Sequence, residues 1–318
     1  MSITKTLGLT AVALSLAAGA QAATLDAAAL LKDFTTIALG NLHASSESEG
    51  PVFVGGNLTS NGYGVNPQNL ANGHVGTASG TLVVGGNVSG NPINVGAGDV
   101  VIGGSDTAII NRNGGGSLTT GASVDVAGVA ASMLGLSSYL AGFATTAGAS
   151  VNTADQNLKA LTSGAGGTGV LAGIAVLNLD LAQTLAFLGG GNLASLNLTA
   201  GVTTIVNLAG TNLSINGNFN QDDSTVLFNF YEATSLTIGN TFGFGILAPK
   251  ADIFANAGGD DGVVVGNNIT QNIEFRPLHG KNFTGDLPKV AAVPLPGAGW
   301  LLGLGLVGLA GLRRRKSV

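Results

Sequence analysis

Cysteine is absent from the 318 residues, which excludes disulfides, thiolate metal sites and a cysteine nucleophile together. Charge is nearly as scarce. Asp, Glu, Lys and Arg make up 9% of the chain, with 12 basic residues against 17 acidic ones. Nucleic acid is therefore not an expected partner, because binding it needs a basic face. The only histidines are His43, His74 and His279, none at a triad spacing from Asp or Ser, and no G-x-S-x-G segment occurs. Between the two ends no apolar run reaches membrane-spanning length. What the chain has instead is glycine, 52 residues of it, often beside Asn and interleaved with Val, Ile, Leu, Phe and Ala. That composition orders as turn-rich β structure. Roughly 270 residues between the ends are enough for one large domain.

Both ends read as addresses. Residues 1–22 carry Lys5, an apolar stretch from Leu7 to Ala20, and then Ala20-Gln21-Ala22, whose small residues suit signal peptidase cleavage after Ala22. At the other end Leu295 to Leu312 is an apolar stretch just long enough to span a bilayer as a helix, followed by Arg313, Arg314, Arg315 and Lys316. The positive-inside rule then keeps the tail cytoplasmic and the body outside the inner membrane. Removing residues 1–22 and 297–318 takes away five basic residues and no acidic one, which leaves a body of net charge −10. The segment Val293-Pro294-Leu295-Pro296-Gly297, helix and RRRK resembles the VPLPA-type relatives of the PEP-CTERM sorting signals, with Gly297 in place of the usual Ala. The resemblance covers the last 26 residues. It implies recognition by an exosortase-type membrane protease, cleavage near the Pro motif, and transfer of the body to the cell surface or extracellular matrix.

Within the body one segment recurs: Val52-Phe53-Val54-Gly55-Gly56-Asn57-Leu58-Thr59, Leu82-Val83-Val84-Gly85-Gly86-Asn87-Val88-Ser89, the half copy Asp99 to Gly104, and Val263 to Thr270. Each reads as strand, tight corner, strand, with the glycines expected to supply positive φ. The spacing of the copies is irregular, so a hairpin sandwich stays open beside a coil of stacked rungs. From Leu193 onward short strand candidates follow one another. Val202 to Leu208 shows apolar and polar residues on both faces, as in a strand covered on both sides.

One segment breaks the β pattern. Val126, Val129, Met133, Leu136, Leu140, Phe143 and Ala147 fall at three- and four-residue steps, which predicts an amphipathic helix over Asp125 to Ala147. Asp125 would cap its start and Gly148 end it, and its stripe requires it to pack along the β body. A shorter helix is expected at Ala154 to Leu161.

Residues 30–288 also resemble the bacterial choice-of-anchor A domain. The match rests on Gly40-Asn41-Leu42, the Val54 to Leu58 segment, Phe228-Asn229-Phe230, Gly245 to Asp252, and His279 through Phe283 to Pro288. The order of strands, side helix and ILAPKAD segment is similar to that of the ice-binding-protein-like domain. These resemblances imply a β-solenoid flanked by a helix, with an adhesive role and no catalytic residues to carry over.

Candidate chemistry is thin. Asp222-Asp223 and Asp260-Asp261 are adjacent acidic pairs that offer oxygen ligands to calcium, but neither has the spacing of a full shell, so no metal and no cofactor is expected. Asp222, Asp252, Asp260 and Glu274 are the carboxylates a glycan-cleaving β-helix enzyme would have to bring together. An ice binder would need hydroxyls in register, and Thr203, Thr204, Thr211, Thr225, Thr234 and Thr237 form no regular ladder along the sequence. His279 is expected to bond backbone near the last rung. The apolar Gly303 to Gly308 segment matches a dinucleotide pattern by letter only, because no strand precedes it.

The reading is thus a signal peptide at 1–22, a mainly β domain at 23–290, and a sorting segment at 291–318 with a transmembrane helix at about 295–312. Function is expected to be non-enzymatic adhesion or structure outside the cell, with an ice binder or a carbohydrate-active enzyme as alternatives. Signal peptidase, an exosortase-type protease, the inner membrane during sorting, and surface polysaccharide or other matrix components are the expected partners.

Overall fold

A computed structural model describes residues 25–288 apart from position 69. Ala20, Ala22, Val293, Pro294, Leu295, Pro296 and the Arg313 to Lys316 tail lie outside the described residues, as does the proposed transmembrane segment. Among the described residues no helix is long and apolar enough to cross a membrane.

The domain is mainly β, and nearly every strand pairing is parallel. A typical rung has three short strands, as in Val52–Val54, Leu58–Ser60 and Gly64–Val65. Successive rungs stack into a three-sided coil, the arrangement of a β-solenoid. The hairpin sandwich is thereby set aside. Two of the three sides matter most here. The first is covered by helices, and its ten strands stack in the order Ile174–Leu179, Thr203–Leu208, Phe219–Asn229, Phe242–Ala248, Val264–Gly266, Thr36–Ala38, Val52–Val54, Leu82–Val84, Val100–Ile102, Leu118–Thr120. The second, an open sheet, stacks Asn212–Ile215, Ser235–Ile238, Asp252–Ala255, Ile269–Gln271, Leu42–Ala44, Leu58–Ser60, Val88–Gly90.

This is not chain order. The first rung at Thr36–Ala38 lies mid-stack, with Val52–Val54 on one side and Val264–Gly266 on the other. The N-terminal half climbs away from that rung, and the helix at Val126–Ala141 carries the chain back. The C-terminal half then starts at the far end and returns until its last rung docks on the first.

Three helices accompany the coil: α1 at Ala27–Asp33, α2 at Val126–Ala141 and α3 at Leu181–Leu188. Asp125 caps α2 as expected, accepting from the Gly128 N–H at 2.9 Å. The helix ends at Gly142, though, not at Gly148. Beyond it Thr145, Thr146 and Phe143 hydrogen-bond the strand at Ile174–Leu179, and those contacts take the place of another turn. Underneath α2, Asn178, Asn207 and Asn229 stack in register. Asn207 donates to Asn178 at 2.7 Å and Asn229 to Asn207 at 2.8 Å, while the Ser137 hydroxyl and the Leu140 carbonyl close the ladder onto the helix. Neither α1 nor α3 was expected, because seven and eight residues are too short for a clear period.

The helix expected at Ala154 to Leu161 does not form. Residues 159–162 are a strand paired on both sides, and Lys159 turns inward beneath α3. Its Nζ donates to the carbonyls of Phe187, Gly189 and Gly190 at 2.7 to 2.9 Å. This cation complements the carbonyl end of α3, although burial lowers its pKa. His279 also departs from expectation. It is exposed, has φ 49, and makes no hydrogen bond among the described residues.

The recurring Gly-Gly-Asn corner has a different cause from the one expected. Gly55, Gly56, Gly85 and Gly86 are not among the positive-φ residues. They are glycine because of what lies above them. A Cβ on Gly55 or Gly85 would strike the carbonyl of the preceding rung and Val126 of α2, and one on Gly56 or Gly86 would strike the Asn side chain of the preceding corner.

The two ends of the stack are closed differently. At one end α3 lays Phe187 and Leu188 over the core. At the other, the inward register positions of Val88, Val95 and Ile102 are filled on the last rung by Asp106, Arg112 and Thr120. Charged and hydroxyl groups at inward positions deter a further strand from adding there. Replacing Asp106, Arg112 and Thr120 together by Val should make the protein form larger, concentration-dependent assemblies than wild type, as read by light scattering. A variant no larger than wild type at the highest attainable concentration contradicts this role.

Candidate binding face

The open sheet carries three outward columns. The first follows from the corner motif. Each corner Asn projects its Oδ1 onto the backbone N–H of the next, from Asn268 to Asn41 at 2.9 Å, Asn41 to Asn57 at 2.9 Å, Asn57 to Asn87 at 2.8 Å and Asn87 to Ser105 at 2.9 Å. Asp252 takes the same position one rung before Asn268, and its Oδ1 accepts from the side chains of Asn267 and Asn268 at 2.9 and 2.8 Å. Each carboxamide is thus locked by its oxygen. No hydrogen bond among the described residues uses the Nδ2 groups of Asn41, Asn57 and Asn87, which are exposed.

The central column is set by strand register. Ser214, Thr237, Phe254, Thr270, His43, Thr59 and Ser89 are successive Cα partners. Strand alternation turns all of them outward, and the flanking Leu, Ile and Val residues inward. The third column, Asn256, Asn272, Ser45, Asn61 and Asn91, starts the next turn of the coil. Each donates its backbone N–H to the preceding rung, and Ser45 bonds Asn272 at 2.8 Å while Asn91 bonds Asn61 at 3.1 Å. Phe254 is 44% exposed, the one aromatic among the exposed large apolar side chains of the described residues.

A family model described as "Putative Ice-binding-like adhesive domain" matches residues 27–277. The chain belongs to that family. No curated protein and no solved structure matches it. In this domain the repeated columns lie on the open sheet, away from the helices, and the chain after the last rung runs along the helix-covered side. Phe283 N–H bonds the Leu31 carbonyl at 3.2 Å and Asp286 N–H bonds Thr203 Oγ1 at 2.8 Å, both beside the helix-covered sheet.

The four carboxylates considered for hydrolysis are not brought together. Asp252 stands in the corner column of the open sheet, while Glu274 edges the third side. Asp222 is exposed on the long strand Phe219–Asn229, and Asp260 points into the core. The acidic pairs are likewise divided: Asp223 accepts from Thr225, and Asp261 pairs with Arg276 at 2.7 Å. Among the described residues no group of three or more His, Asp or Glu side chains is arranged to hold a metal. Of the threonines named from sequence only Thr237 stands in the central column, since Thr203 and Thr204 are buried.

Sequence reasoning missed the third side. There Glu47, Glu274, Asn66, Asn94 and Asn113 line a shallow depression of about 630 Å³. Next to it burial, together with the neighbouring Glu274 carboxylate, raises the pKa of Glu49.

Asp260 is fully buried and, among the described residues, neither carboxylate oxygen has a hydrogen-bond partner. Burial, with Asp261 adding to it and Arg276 opposing, holds its pKa well above the ordinary value. A carboxyl with a raised folded pKa is harmless while protonated and costs stability as pH climbs above its unfolded value of about 4. Asp260→Asn should therefore raise Tm at pH 7, and the gain over wild type should shrink toward pH 3. An equal Tm difference at both pH values contradicts this.

Proposed function

We propose that the chain is an exported, non-enzymatic adhesive module that is held at or beyond the cell surface and contacts its target through the open sheet. The observation that carries this reading is the three-column face: a flat, repeated, nearly uncharged array with no converging acid and base. Family membership supports adhesion, and the choice-of-anchor A resemblance supports a role in which the module is fixed and the anchor varies. The address segments support the route. Signal peptidase would cut after Ala22, and an exosortase-type protease would act near Pro294 and Pro296 while Arg313 to Lys316 hold the tail inside. The path of the chain through Phe283 and Asp286 supports a matching orientation, because an anchor attached there leaves the open sheet unobstructed.

Ice binding is the second reading, favoured by the family description and by the run of Thr and Ser in the central column. Lattice matching needs one kind of group repeated rung after rung, and Phe254 and His43 interrupt it. Mass spectrometry of the protein recovered from intact producing cells tests the proposal. The expected mature chain begins at Ala23, ends near Pro296 and is removed from cells by external protease. Recovery of intact Met1–Val318 from the cytosol contradicts it.

A further inference from the structure

We infer that the open sheet binds a neutral polysaccharide, with Phe254 as the platform for a sugar ring and the two amide columns as partners for the hydroxyls. This rests on the adhesive reading of the same face and goes beyond it by naming the ligand chemistry. Charge comes first. No Lys or Arg stands in the three columns, and the one carboxylate, Asp252, is already engaged by Asn267 and Asn268. An anionic polymer finds no Lys or Arg there and a cationic one finds only Asp252, whose Oδ1 already accepts from two amides, whereas a neutral one has no charge to desolvate.

Apolar area comes second. A membrane or a protein partner would need a cluster of apolar or aromatic anchors. The face offers Phe254 alone, 44% exposed between Thr237 and Thr270. A lone ring flanked by hydroxyls suits a sugar, whose C–H face stacks while its edge bonds sideways.

Preorganisation comes third. Asn41, Asn57 and Asn87 have their oxygens held by the next backbone N–H, so their free Nδ2 donors are presented without further ordering cost. Across the face Asn91 donates its Nδ2 to the Asn61 Oδ1 at 3.1 Å, which fixes both carboxamides and leaves the Asn61 Nδ2 unused among the described residues. These donors repeat at the rung spacing of about 4.8 Å. A polymer of identical units can therefore use equivalent groups on successive rungs and gain avidity from weak single contacts.

The test uses affinity electrophoresis of the full chain in mild detergent through gels containing a neutral β-glucan, neutral dextran, acidic polygalacturonate or basic chitosan. Retardation is expected in a neutral gel and not in the charged ones. Phe254→Ala should weaken it about tenfold, and Asn61→Ala with Asn91→Ala severalfold. Asn94→Ala on the third side should leave it unchanged. Unaltered Tm in each variant excludes misfolding as the cause. Retardation in charged gels alone, none in any gel, or retardation insensitive to Phe254→Ala and the Asn pair overturns the inference. Attachment of cells displaying the full chain separates the two claims. If cells attach while neutral gels fail to retard the protein, adhesion stands and the glycan assignment falls. Cells that do not attach refute the adhesive reading itself. Inhibition of ice recrystallisation without retardation would assign the face to ice.

Discussion

At four successive steps of the stack, from Asn268 to Ser105, the chain turns from the helix-covered sheet to the open sheet at a corner where an Asn carboxamide accepts the backbone N–H of the next corner. The rest of the domain follows from that contact. For the side chain to reach over, the residue beneath it must lack a Cβ, which is why Gly56, Gly86 and Gly104 precede Asn57, Asn87 and Ser105. For α2 to lie close, the glycine before each must lack one too, since Val126 occupies that space above Gly55 and Gly85. Each bond is worth about 1 kcal/mol net, but their joint effect is to fix the phase of the rungs from Asn268 to Ser105. Side chains two residues further on then fall into a single column.

The same contact crosses the joint between the chain's two ends. Asn268 bonds Asn41 across 227 residues, and parallel pairing of Val264–Gly266 with Thr36–Ala38 runs beneath it. Because the ladder does not notice the joint, rungs from both halves form one face, with Phe254 and Thr270 from the C-terminal half beside His43 and Thr59 from the N-terminal half. The interior at this joint is polar as well. Ser48 lies 2.7 Å from the Tyr63 hydroxyl and 3.2 Å from the Thr36 hydroxyl, and Gln271 bonds the Glu47 carbonyl at 2.9 Å. Tyr63 is buried there, which raises its pKa. A closed joint, an α3 cap and polar groups on the last rung leave the open sheet and the third side as the broad uncovered surfaces.

Much of the local structure was legible. The corner copies at Val54 to Leu58, Val84 to Val88 and Val264 to Ile269 announced strand, corner, strand, and the stripe from Val126 to Leu140 announced α2 with its Asp125 cap. The global order was not legible, because spacing along the chain says nothing about a stack that begins in the middle. Regular columns therefore looked irregular, and Thr59, Thr270 and Ser89 could not be aligned without knowing that Leu42 pairs with both Leu58 and Ile269. The reason for the glycines was also hidden. Composition points to positive φ, whereas the requirement is space for a neighbour that sequence does not reveal. At Lys159 the burial of one cation under α3 decided strand over helix, and that is a tertiary effect.

The open face is assembled from both halves of the chain at the joint, and a cross-link tests this directly. His43 and Thr270 are Cα partners on adjacent strands and point outward together, at a separation compatible with a disulfide. The protein has no cysteine of its own, so His43→Cys with Thr270→Cys introduces a single possible bond. Mild oxidation should convert the monomer almost completely to an internally linked form, with one peptide joining the two positions. A double variant that keeps both thiols free, or links only between molecules, would contradict the joint and the face built upon it.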